Sequence, residues 1–250
     1  MVSLIKNYLN TVIKNPLLVG SLIMFVGTNV HNFGQLLYHY LAINILSKAH
    51  YGDLAALVSI FGLLAIVQQS LALAIVRFIA SCKNASEANN LARWVIYWAF
   101  LGAIAIALVI FALSPFLINF LHISQPIAVL LFAPVVFFGV ISNTGRALLQ
   151  GFIKFAQYAG SMIIEVSVKI VLTLVLLFAG YELFGAVFGL LAGSVAGLAI
   201  VGFSLKGNLS GPKKPMPEIR PILRYSLPVL FQSLAVTSMY SIDILLVKHY

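Results

Sequence analysis

Only 8% of this 250-residue chain is charged, so the few ionisable side chains that fall inside apolar runs must carry whatever chemistry it performs. Glu165 and Lys169 are four residues apart in Ile164-Glu-Val-Ser-Val-Lys, which makes them neighbours on one helix face. Lys169 lies fourteen residues beyond Phe155, about 21 Å along a helix at 1.5 Å per residue, and so at mid-bilayer depth. Ionisable residues at that depth are expensive, commonly paired, and by default mark a substrate or ion pathway. Lys169 is expected to attract a substrate phosphate, with Glu165 as counter-ion or proton acceptor. The alternative is a neutralised pair that holds two helices together.

Further candidates surround this pair. Gly139, Asn143, Arg146 and Gln150 share a helix face, and Arg146 and Arg77 end their segments where a pyrophosphate could be met through charge-assisted contacts or where snorkelling alone explains them. Thr28, His31, Asn32, Gln35 and His39 fall along one side of the first segment. Polar groups in hydrocarbon need partners, so this stripe should face water, substrate or another helix. Asp243 could bind a coupling ion or pair with Lys248 at the interface. No metal site is expected, because the five histidines have no cysteine or carboxylate at zinc-like spacing. No cofactor or catalytic group is expected either: the acids are scattered and nothing resembles a paired acid and base or an activated nucleophile. The single cysteine, Cys82, excludes an internal disulfide.

The elements that must position these groups are transmembrane helices. The chain is 62% hydrophobic with a mean hydropathy of +1.06, whereas a soluble domain is about one quarter charged. Seven apolar runs of spanning length are predicted at Leu17 to Leu46, Leu54 to Ile79, Trp94 to Phe120, Ile127 to Leu149, Phe155 to Phe178, Phe184 to Leu205 and Ile222 to Val247. They are apolar on every face, unlike the short alternating strands of a membrane barrel. The fold class is therefore an all-α integral membrane protein with about seven transmembrane helices. Twelve of the fifteen lysines and arginines fall at or near one set of segment ends if the N-terminus is cytoplasmic, against Lys48 and Lys248 on the other side and Lys169 within a segment. The +9 charge thus reads as topology, in a bacterial or archaeal plasma membrane. It gives no basic polar face for nucleic acid.

Residues 1–15 are expected to lie as an amphipathic helix on the inner leaflet, with no cleaved signal peptide. Residues 16–205 form a six-helix lobe. Residues 206–221, KGNLSGPKKPMPEIRP, read as a cytoplasmic linker, because proline and glycine oppose a continuous helix. Residues 222–250 read as the first helix of a second lobe that is otherwise absent, so the chain is expected to be a fragment or a natural half. Pro221-Ile-Leu-Arg-Tyr-Ser-Leu weakly echoes Pro16-Leu-Leu-Val-Gly-Ser-Leu, as an internal repeat would. Gly185, Gly189, Gly193 and Gly197 give the sixth segment a small-residue packing stripe. Pro115, Pro134 and Pro228 are expected to kink their helices, Pro134 opening a cavity.

Four stretches together resemble the multidrug, oligosaccharidyl-lipid and polysaccharide exporter superfamily, in particular its polysaccharide-biosynthesis branch of lipid-linked oligosaccharide flippases. They are Gly20-Ser-Leu with the polar first helix leading to Tyr51-Gly-Asp-Leu; Ala147-Leu-Leu-Gln-Gly-Phe with Lys154-Phe; Ile164-Glu-Val-Ser-Val-Lys with Gly185-Ala; and Tyr240-Ser-Ile-Asp-Ile-Leu-Leu-Val-Lys-His-Tyr. The resemblance implies twelve to fourteen helices in two lobes around a central cavity, of which this chain has about half. It also implies alternating access, with a polyprenyl-pyrophosphate-linked sugar as substrate and the bilayer, or a second half-length subunit, as partner. Two alternatives remain open at this stage: an exporter of drugs or organic cations from the same superfamily, and a non-transporting membrane scaffold.

Overall fold

The structure, a computed structural model, describes residues 16–210 together with positions 224, 225, 228 and 231. Six long helices follow one another: α1 Pro16–Ile45, α2 Lys48–Ala80, α3 Ala85–Leu121, α4 Pro126–Gly151, α5 Phe155–Phe178 and α6 Glu182–Leu209. No strand occurs among the described residues. The helices coincide with the first six predicted spans. Residues 1–15 and most of the seventh span lie outside the described residues.

Helix ends differ from the apolar boundaries for a physical reason. Hydropathy marks where hydrocarbon begins, whereas the backbone continues to bond in the polar interface. Thus α2 starts at Lys48, where the Ser47 side chain accepts from the His50 amide, and α3 starts at Ala85, nine residues before Trp94. α4 starts with Pro126 in its first turn, where no backbone donor is needed. α6 runs on through Gly207 and Asn208 to Leu209, so the expected linker loses its first four residues to helix. Helical backbone also continues through Pro115 in α3 and Pro134 in α4. Among the described residues five helices, α2 to α6, are long and apolar enough to cross a membrane. α1 has comparable length at 30 residues and carries Thr28, Asn29, His31, Asn32 and Gln35 along its course.

The loops gather at two ends. At one end His50 on α2 reaches Glu182 on α6, 3.3 Å away, and buried Asp53 accepts from the Ser124 amide and hydroxyl before α4. At the other end Lys154, after α4, donates to Ser204 O and Asn208 Oδ1 on α6, while Asn208 bonds Asn89 of α3. α4 packs on α2, α3 and α6, and α5 lies between α1 and α6. α3 leaves Leu108, Val109, Phe111 and Phe116 exposed, as a lipid-facing helix does.

Two apolar cores result. One, near the first end, centres on Leu54, Leu57, Phe132, Val136, Leu183 and Val187. The other, near the opposite end, centres on Ile75, Ile79, Leu91, Leu148, Val201 and Leu205. Between them in sequence and along the helices fall the buried polar residues Ser142, Arg146, Ser161, Lys169, Thr173 and Ser194.

Candidate functional site

Small residues bring this polar layer together. Along α6, a Cβ added at Gly193 would stand 2.8 Å from the Glu165 carbonyl oxygen and 2.9 Å from Lys169 Cβ. One added at Gly197 would stand 2.7 Å from an Arg146 guanidinium nitrogen and 2.9 Å from Glu165 Oε2, and one at Gly189 would collide with Thr173 Oγ1. The predicted stripe is therefore a packing surface, and its effect is to seat α5 and its charges close to α4. A second stripe, on α1, does the same from the other side. Gly20, Gly27 and Gly34 recur every seven residues and press against Phe155, Ala159 and Val166 of α5. The sequence reading missed it, although the seven-residue spacing was the available signal. It sets the register that brings Gln35 beside Lys169.

The site that follows is a cavity of about 370 Å³ lined by residues of α1, α2, α4, α5 and α6. His31, Gln35 and His39 enter from α1, Gln68 from α2, Asn143, Arg146 and Gln150 from α4, and Glu165 and Lys169 from α5. Of the sequence candidates, Lys169, Glu165, Arg146, Asn143, Gln35 and His31 are thus assembled in one place. Asn32 is exposed on a different side of α1 and lines no part of the cavity. Arg77 is exposed near the end of α2, with its guanidinium 4.5 Å from the centre of the Tyr225 ring. Asp243 lies outside the described residues.

The charges are not paired as the four-residue spacing suggests. Glu165 forms its ion pair with Arg146 of α4. The same guanidinium donates to Ser161 Oγ at 3.0 Å, to the Ser161 carbonyl at 3.3 Å and to Asn143 Oδ1 at 3.3 Å. Asn143 in turn donates to Gln68 Oε1 at 2.9 Å, tying α4 to α2. Lys169 instead donates to Gln35 Oε1, with its ammonium 4.2 Å from the centre of the buried Tyr38 ring. Among the described residues it makes no ion pair. Lys169 is only 2% exposed, so one cavity-lining cation rests on an amide and an aromatic face.

Adjacent turns have different fates because each helix face meets a different neighbour. Glu165 points towards α4 and finds Arg146, while Lys169, one turn on, points towards α1 and finds Gln35 and Tyr38. The pair Arg146 and Glu165 is internally neutral, so among the described residues that line the cavity the Lys169 ammonium is the charge left over. Such a cavity can hold an anion through one charge-assisted contact, flanked by amides and aromatic rings for a polar organic body. Among the described residues no group of histidine, cysteine or carboxylate side chains could hold a metal ion.

The comparisons with known proteins agree on architecture. The profile of the family described as "Polysaccharide biosynthesis protein" matches residues 17–250. The fold is similar to a MOP superfamily transporter from Pyrococcus furiosus (TM-score 0.70, 16% identity, 89% of this chain and 52% of that one). It is also similar to the Vibrio cholerae MATE transporter VcmN in its bent form (TM-score 0.75, 16% identity, 91% and 56%). A third likeness is to the outward-facing conformation of a multidrug resistance MATE family transporter (TM-score 0.70, 18% identity, 89% and 52%). The chain spans about half the length of these transporters. No curated protein matches it in sequence.

Proposed function

Because the chain belongs to the polysaccharide biosynthesis protein family of the multidrug, oligosaccharidyl-lipid and polysaccharide exporter superfamily, we propose that it is the N-terminal lobe of a flippase for lipid-linked saccharide precursors. The substrate is a polyprenyl-pyrophosphate-linked sugar, moved by alternating access between two lobes while its polyprenyl tail stays in lipid. The observation that carries this reading is the buried Lys169, which lines the cavity without a carboxylate partner among the described residues. A pyrophosphate supplies the missing counter-charge. Gln35, Gln68, Asn143 and Gln150 supply donors and acceptors for a sugar, as cavity polar groups do for bound ligands.

The reading includes an orientation. Among the described residues Arg77, Lys83, Arg93, Lys154 and Lys206 lie towards one end of the bundle and Lys48 at the other. The positive-inside rule places the richer end in the cytoplasm of a plasma membrane, with the N-terminus on that side. An exporter of organic cations would use a free carboxylate in the cavity. Glu165 is committed to Arg146, which favours an anionic substrate over a cationic one.

The test is a flipping assay in proteoliposomes with a fluorescent polyprenyl-pyrophosphate sugar. It compares this chain, a longer chain bearing a second lobe, and Lys169→Ala in each. Transport by the longer chain that is lost with Lys169→Ala is the expected result. Transport of an organic cation instead, unaffected by Lys169→Ala, overturns the substrate assignment. Folded insertion with no transport of either substrate turns the reading towards a scaffold.

A further inference from the structure

The group that holds Lys169 belongs to a longer chain of hydrogen bonds with a fixed direction. Lys169 Nζ donates to Gln35 Oε1. Gln35 Nε2 lies 3.0 Å from His31 Nε2, and His31 Nδ1 lies 3.1 Å from the Met162 carbonyl oxygen. An ammonium can only donate, so the Gln35 oxygen must face Lys169 and its amide nitrogen must face His31. That nitrogen also only donates, so His31 Nε2 must be the acceptor and carry no proton. The proton of the neutral ring is then on Nδ1, directed at the Met162 carbonyl.

We propose that His31 and Gln35 are positioning residues that couple proton uptake to anion binding at Lys169. The inference rests on Lys169 being the anion site. A second proton on His31 sets an N–H against the Gln35 amide N–H. Gln35 relieves the clash by rotating so that its oxygen accepts from His31 Nε2. The rotation turns the amide nitrogen on the ammonium, and Lys169 loses its acceptor. An anion entering the cavity replaces it and meets two cations where the resting site offers one. The step consumes one proton: an O–H bond of a hydronium ion breaks as the N–H bond at His31 Nε2 forms, leaving water. By linkage the coupling is reciprocal: a bound anion draws a proton onto His31 as strongly as the proton tightens the anion.

The charged groups acting on His31 are Glu165 and Lys169 on α5 and Arg146 on α4, and the first and last of these neutralise each other. His39 on α1 and the phenols of Tyr38 and Tyr158 line the same cavity. From α2 and α6 no ionisable side chain lines it. His39 is the other imidazole among the residues that line the cavity, so a variant at that position is the control.

The test measures geranyl diphosphate binding to the full chain in nanodiscs between pH 5 and pH 8, for wild type, His31→Gln, His39→Gln and Lys169→Gln. The ratio of wild-type to His31→Gln affinity cancels the titration of the probe itself. That ratio is expected to rise on the order of tenfold from pH 8 to pH 5, whereas the ratio to His39→Gln stays flat. A flat His31 ratio, with binding still lost in Lys169→Gln, overturns the coupling and leaves the anion site standing. Binding that Lys169→Gln does not weaken overturns both. If His31→Gln fails to insert, 15N-imidazole spectra of the wild type decide: at pH 8 the Nδ1–H tautomer is expected, and geranyl diphosphate should convert it to the doubly protonated ring. No ligand-induced change overturns the coupling.

Discussion

Arg146 and Lys169 are both buried cations lining one cavity, and their surroundings differ in kind. Arg146 is surrounded by acceptors from two helices, including a carboxylate. Among the described residues Lys169 has one amide oxygen and one ring face. A guanidinium presents five donors in a planar fork, whereas an ammonium is a compact point charge on a flexible stem. The first suits a permanent brace between α4 and α5, and the second suits a contact that can be exchanged for a ligand. Two buried cations that line one cavity thus differ in how fully their donors are met.

The sharpest way to break this contrast is Arg146→Leu. It leaves the half-buried Glu165 without its partner, so a loss somewhat below the about 3–5 kcal/mol of a fully buried pair is expected, read as poor yield and a large fall in Tm in detergent. If Arg146→Leu is as stable as wild type but blocks anion binding, Arg146 is a ligand and the division fails. Gly193→Val tests the surface that permits the pair. Its new atoms meet the Glu165 carbonyl and Lys169 Cβ, and overpacking of this kind costs about 1–3 kcal/mol, with a smaller fall in Tm expected. Lys169→Gln is expected to change stability by less than about 1 kcal/mol, the size of an ordinary hydrogen bond, while abolishing binding of a polyprenyl diphosphate. A large loss of stability there would make Lys169 a brace too. Glu182→Gln at the end of the bundle removes a partly exposed pairing with His50; less than ~1 kcal/mol is expected, with transport unchanged. Asn32→Ala is expected to leave both Tm and binding unaltered, because Asn32 lies away from the cavity.

Much of the helical order was legible because lipid leaves so few ways to satisfy a backbone. The breaks at Ser47, Lys83, Ser124, Lys154 and Gly180 divide apolar runs of spanning length, and each falls between two observed helices. The stripe from Gly185 to Gly197 was readable as a packing face, since its four-residue period is a property of one helix. His31, Gln35 and His39 were likewise placed on one side by the period of α1. Asn32, included in the same stripe, sits one residue from His31 and so about 100° round the helix, which is enough to turn it out of the cavity.

The pairing of charges was not legible. Spacing makes Glu165 and Lys169 neighbours, and both inferences drawn from it, a mutual ion pair and a shared substrate site, treat α5 alone. Glu165 is instead claimed by a guanidinium nineteen residues earlier in the chain, and Lys169 by an amide 134 residues away. No period within one helix reports such distances. They depend on which faces of α1 and α4 turn towards α5, and on the glycines of α1 and α6 that let those helices approach.

The sequence by itself therefore determined that the chain is a membrane-spanning helical bundle, which residues are polar at depth, and on which side of its own helix each one lies. These follow from the cost of bare polar groups in hydrocarbon and from 3.6 residues per turn. Only the tertiary structure decided that Glu165 meets Arg146 while Lys169, among the described residues, meets an amide and a ring face, because that choice is made by contacts between helices, where register is set by close packing at Gly34, Gly193 and Gly197.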